Sequence, residues 1–181
     1  MNNPLIIAVD AMGGDDSPNK VIDGIIIHSR KSQNIVYKIF GNKSLIDPII
    51  KKNKISSERY VVIHTDKFIE GEDTPLSAAK KGKDTSLWLA IDCLKKNEAH
   101  AIVSAGNTGA LFLISKLNLK MIENIDKPAL SALWPSKIGM NVVLDLGANV
   151  ECNTKNMVDF SIMGSALFKA LFENEKPEVA L

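Results

Sequence analysis

The chain has 181 residues, a formal net charge of +1 and 45% hydrophobic residues, which predicts one domain with a real core. Its lysines are scattered among acidic residues with no aromatic-interleaved basic stripe, excluding nucleic acid as a partner, and no run resembles a membrane-spanning helix or a signal peptide, so a cytoplasmic location is expected. Cys93 and Cys152 lack C-x-x-C spacing, which argues against a disulfide framework or redox pair, and no His/Asp/Glu spacing points to a metal.

In chain order, Leu5 to Val9 is an apolar strand that ends in the loop Asp10-Ala-Met-Gly-Gly-Asp-Asp-Ser-Pro, and Val21, Ile22, Ile25 and Ile26 then mark a helix face. Ile35 to Phe40 predicts a strand, Leu45 to Lys52 a short helix and Tyr60 to His64 another strand. Thr85 to Lys96 reads as a helix with Leu87, Ile91 and Leu94 on one face and Asp84 or Thr85 as N-cap. Ala101 to Leu113 is a strand, a Gly-Asn-Thr-Gly turn and a helix start. Ala129 to Leu133 predicts a short strand before Pro135, and Asn141 to Leu146 another that runs into Asp145-Leu-Gly-Ala-Asn-Val. The last helix, Lys155 to Glu173, carries Phe160, Met163, Leu167, Leu171 and Phe172 as a core stripe, with Gly164 permitting close approach of a neighbour. Glu175 to Leu181 reads as a loop followed by the first residues of a further buried strand. Strands alternating with helices predict an α/β fold with a mainly parallel sheet.

The turn from Gly106 to Gly109 has the architecture of an anion site. Glycines let backbone approach a ligand without a Cβ in the way, and the unpaired N–H groups of a helix start point outward, which makes phosphate the expected guest. Loops at the carboxyl ends of parallel strands gather where ligands bind. The loops after Val9, Ser104 and Asp145 are therefore expected to share one cleft. Asp10 and Asp145 each end a strand beside glycines, where a carboxylate orients a lysine or hydroxyl or else anchors the loop. His64 ends its strand at the same edge, while His28 and His100 read as structural or exposed. The absence of G-x-G-x-x-G and G-x-x-x-x-G-K-[ST] argues against a dinucleotide or nucleoside triphosphate.

A series of segments carries a resemblance: D-A-M-G-G-D at Asp10 to Asp15, V-S-A-G-N-T-G-A-L at Val103 to Leu111, K-P-A-L at Lys127 to Leu130, L-D-L-G-A-N-V at Leu144 to Val150, and M-G-S at Met163 to Ser165. In this order they resemble the bacterial phosphate acyltransferases, which move an acyl group from acyl carrier protein to inorganic phosphate at the start of phospholipid synthesis. The resemblance implies a three-layer α/β/α fold similar to phosphotransacetylase and isocitrate dehydrogenase, a homodimer, and peripheral contact with the inner face of the membrane. It also implies a further half beyond Leu181, so the chain is expected to be the C-terminally truncated, N-terminal part. Asp73-Thr-Pro75 resembles the family's D-x-P, and Lys80 to Ser86 its basic run followed by two serines, with Gly82 replacing a basic residue and Thr85 a serine.

On that reading Lys83, Asn107 and Thr108 are the catalytic candidates, positioning phosphate and stabilising the oxyanion. Gly13, Gly14, Ser86, Ser104, Gly106, Gly109 and Asn149 are expected to hold phosphate, Asp10, His64 and Asp145 to support it, and no cofactor is needed. Substituting Gly109 by valine is expected to block the anion and spare the fold. Two alternatives stay open. One is an inactive or regulatory remnant that binds phosphate or a partner, and the other is a phosphotransacetylase-like enzyme using acyl-coenzyme A.

Overall fold

The computed structural model describes residues 3–53, 55–137 and 139–181. The chain divides into two compact units, Met1–Leu119 and Lys120–Leu181. The first contains strands β1 (Leu5–Asp10), β2 (Ile35–Gly41), β3 (Tyr60–His64) and β4 (Ala101–Ser104), and helices α1 (Asn19–Lys31), α2 (Lys43–Asn53), α3 (Pro75–Lys80), α4 (Ser86–Lys95) and α5 (Thr108–Asn118).

The four strands are parallel, in the order β3-β2-β1-β4. Their sequences are runs of Ile, Val and Tyr rather than alternations of apolar and polar residues, as expected of strands covered on both faces. Val9, Tyr37 and Ile39 pack on one side with Ile22, Ile25 and Ile26 of α1 and Ile46 and Ile50 of α2. Ala8 and Phe40 pack on the other side with Ala90 and Cys93 of α4. The unit is thus three-layered. Ile22, Ile39 and Ile46 are wholly buried, each contributing about 1.5–3 kcal/mol relative to an exposed side chain.

Two local features close this unit. A short 3-10 turn, Ser57–Arg59, precedes β3. From it the Arg59 guanidinium donates to the carbonyls of Ser29 at 2.8 Å, Ile35 at 3.3 Å and Ser32, holding the α1 to β2 joint. Helix α3, for which the sequence reading had no element, starts where Thr74 accepts from the Ser77 N–H at 3.2 Å and Pro75 takes the first helical position. It packs through Ala78 against Leu87 and Ile91 of α4 and Ala110 and Ile114 of α5.

The second unit contains β5 (Ser131–Ser136), β6 (Gly139–Leu144) and α6 (Thr154–Leu171). β5 and β6 are antiparallel, so the parallel sheet is a property of the first unit. β5 begins two residues later than expected and runs through Pro135, which lies opposite Met140. A two-stranded sheet has only edge strands, and an edge tolerates the missing N–H. Helix α6 opens with a reciprocal cap, Asn153 accepting from the Asn156 N–H at 2.9 Å and Asn156 from the Asn153 N–H at 3.2 Å. Gly164 lets α6 approach β6, since a methyl there would sit 2.7 Å from Leu144 Cδ2. The expected core stripe is only partly so: Phe160 is buried, whereas Leu167 and Leu171 are 36% and 49% exposed. The strand expected within Glu175 to Leu181 is not formed.

Candidate functional site

In the first unit, the loops after β1 and β4 meet backbone to backbone. A methyl on Gly13 would lie 2.6 Å from Asp10 Oδ2 and 3.0 Å from Gly106 Cα. Gly14 adopts φ +92°, with the Ala105 carbonyl where a side chain would go, so only glycine suits either position. Asp10, 2% exposed, joins the two loops: Oδ2 accepts from Ser104 Oγ at 2.8 Å and Oδ1 from the Met12 N–H at 3.2 Å. Ser104 Oγ in turn accepts from the Gly106 N–H at 3.2 Å. The carboxylate therefore acts on the turn through a hydroxyl.

Asn107 is the N-cap of α5, with its Oδ1 accepting from the Ala110 N–H at 2.9 Å. Its amide donates to the carbonyls of Gly71 and Asp73, both at 2.8 Å. Both ends of this side chain are committed within the protein, which changes its expected role from anion donor to support of the turn. The N–H groups of Thr108 and Gly109 have no hydrogen-bond partner among the described residues, nor has the exposed Thr108 hydroxyl. These three donors at one helix start are what an anion would meet. Gly109 carries a second constraint: a methyl on it would sit 2.7 Å from Pro75 Cγ. Valine there displaces α3 as well as any anion, so the expectation that the fold is spared does not hold.

The other expected residues are distributed more widely. Lys83 is exposed on the turn before α4 and has no ion-pair partner among the described residues, whereas Lys67 and Lys81 nearby bind Asp84 and Asp73, each at 2.6 Å. Ser86 begins α4, but its hydroxyl is buried, 1% exposed, without a partner among the described residues. His64 lies on the edge strand β3, separated from β1 by β2. Its Nδ1 accepts from the Lys43 N–H at 3.2 Å at the start of α2, which makes it a cap rather than a member of the glycine turn. His28 bonds Tyr37 Oη at 2.8 Å, and His100 Nδ1 accepts from the Ile6 N–H at 3.0 Å.

Asp145 and Asn149 belong to the second unit, where they form one closed knot. Asp145 Oδ1 accepts from the N–H groups of Leu130 at 2.8 Å and Ala148 at 3.3 Å, and Oδ2 from the Asn149 N–H at 2.7 Å and side-chain amide at 2.9 Å. The Asn149 amide also donates to the Pro128 carbonyl at 2.8 Å. Burial pushes the Asp145 carboxyl up, but these bonds outweigh it and hold its pKa below the usual value. A depressed folded pKa means that the stabilisation is complete above the unfolded value, about 3.9, and is lost as pH falls through the folded one. Asp145→Asn should therefore shrink the difference in melting temperature between pH 7 and pH 3, and an undiminished difference would show that the knot does not titrate.

No group of three or more His, Cys, Asp or Glu among the described residues could hold a metal, and no helix among them is long and apolar enough to cross a membrane. Residues 5–181 match the family described as "Fatty acid synthesis protein". A phosphate acyltransferase from Pelagibacter ubique is 57% identical over 181 residues, 100% of this chain and 54% of that protein. One from Rhodospirillum rubrum is 40% identical, again over 100% of this chain and 52% of its own length. The chain thus spans about half the length of the curated relatives it matches. Among solved structures, a phosphotransacetylase from Streptococcus pyogenes has the same fold, with TM-score 0.67 and 13% identity over 96% of this chain and 56% of that one.

Proposed function

The chain belongs to the fatty acid synthesis protein family, and from that membership we propose that it carries the phosphate-holding turn of an acyltransferase acting on acyl carrier protein and inorganic phosphate. The observation that supports this most is the start of α5, where Thr108 and Gly109 present N–H groups without a partner among the described residues, beside an exposed hydroxyl. In the reaction a phosphate oxygen attacks the thioester carbonyl. The new C–O bond forms first and leaves the carbonyl oxygen as an oxyanion; its collapse breaks the C–S bond, and the released thiolate takes up, through water, the proton that the attacking hydrogen phosphate gives up. A thiolate is a good leaving group, so no protein acid is required.

What remains for the protein is placement and charge. Gathering the two reactants is worth up to about 7–11 kcal/mol in favourable cases, and oriented donors at the oxyanion about 3 more. Thr108 and the two N–H groups supply donors, and Lys83 supplies a cation. Asp10 does not oppose the phosphate directly, because one of its oxygens faces the Ser104 hydroxyl. The reading extends to the product, an acyl phosphate that enters phospholipid synthesis, and to a cytoplasmic homodimer touching the membrane at its periphery.

The test is calorimetric titration of the chain with inorganic phosphate, joined to phosphate-dependent thiol release from acyl-acyl carrier protein. Failure of both overturns the proposal. In a catalytically competent full-length form, Lys83→Ala should lower kcat/KM in the thiol-release assay by about 30-fold, equivalent to about 2 kcal/mol. Unchanged turnover and unchanged phosphate dependence would remove Lys83 from the site.

A further inference from the structure

The arm between β3 and α4 grips the start of α5, and one residue holds the arm in shape. Asp73 Oδ2 accepts from the Glu70 N–H at 2.8 Å and from Lys81 Nζ at 2.6 Å, while Oδ1 accepts from Ser77 Oγ at 3.3 Å. Lys81 Nζ also reaches Glu70 Oε2 at 3.2 Å. The carboxylate thus ties both flanks of α3 to one another. Its own carbonyl, with that of Gly71, receives the Asn107 amide. That amide is the far end of the side chain whose Oδ1 caps α5. On the same arm the Pro75 ring lies where any side chain on Gly109 would go.

We infer that Asp73, buckled to Lys81, is a positioning residue that sets the orientation of Asn107 and thereby aims the Thr108 and Gly109 N–H groups. The inference rests on the reading of that turn as a phosphate site. The Asp73 carboxyl stands below its usual pKa, chiefly through the bond from Lys81, so the buckle is charged at neutral pH. Without the carboxylate, the Glu70 N–H and Lys81 lose their shared acceptor and residues 70–74 are free to shift. Asn107 then loses its two carbonyl acceptors, and its cap on Ala110 weakens.

The test uses the full 181-residue chain, Asp73→Asn, Lys81→Gln and the double variant. Inorganic phosphate is the probe in calorimetry, and amide hydrogen exchange is followed residue by residue. Asp73→Asn should raise the phosphate Kd about tenfold and speed exchange of the Ala110 N–H, the one that the Asn107 side chain accepts, by a similar factor, with β1 and β2 unchanged, and the double variant should add little to it. Lys81→Gln leaves the Glu70 N–H on Asp73 and serves as the folded comparison if Asp73→Asn does not fold. Exchange rising equally throughout the unit would show a purely structural role and overturn the inference, as would additive effects or unchanged exchange at Ala110. If the parent chain binds no phosphate, the reading of the turn as a phosphate site fails, and local exchange decides the buckle by itself.

Discussion

Asp10→Ala should reduce the unfolding free energy by about 1–3 kcal/mol, since it leaves two part-buried donors without their acceptor and opens a small void where the buried carboxylate stood. The donors are the Ser104 hydroxyl and the Met12 N–H, and Asp10 itself is 2% exposed, so solvent does not replace it. Because Ser104 in turn receives the Gly106 N–H, the loss propagates to the turn at Gly106 to Gly109, and on the proposed reading of that turn phosphate affinity should fall with stability. Denaturant unfolding measures the first effect and calorimetry the second. A loss under about 0.5 kcal/mol, the range of ordinary surface substitutions, would mean that Asp10 does not join the loops.

Gly106→Val should lower phosphate affinity about 100-fold or more. A methyl on Gly106 would lie 3.0 Å from Gly13 Cα and 3.4 Å from Ser104 Oγ. The first of these is backbone, which cannot swing aside as the end of a side chain can, so the two loops must separate. Gly24→Ala on α1, where a methyl meets nothing within 4 Å, is the matched control and should leave binding intact. Equal phosphate affinities in the two variants would sink the claim that the loops must touch.

Much of the fold was legible because its signals are local. β1, β2 and β3 are short, mainly apolar runs rich in Ile and Val, and Ile22, Ile25 and Ile26 recur at helical spacing. Helix α3 was missed because six residues are too few for a periodicity, although Thr74 followed by Pro75 is the signature of a helix start. Leu167 and Leu171 were misplaced because helical spacing shows that residues share a face, and says nothing of whether anything covers it. In the site, the glycine turns were readable as backbone geometry. Asn107 was not, since an amide has the same donors whether they meet a ligand or the carbonyls of Gly71 and Asp73, and those carbonyls lie 36 and 34 residues away.

The strand order β3-β2-β1-β4 also sets a timetable for a nascent chain. β1 acquires β2 as a neighbour early, but the partner for its other edge, β4, lies about a hundred residues downstream: Asp10 pairs with Ser104, a separation of 94. At ribosomal rates of about 5–20 residues per second, that edge waits about 5–20 s for its partner. Until then its Ile and Val residues and open backbone groups can pair with another emerging chain. The glycine loops cannot meet before the same moment, because one of them follows β4, so the proposed anion site is assembled only after the sheet has closed around β1.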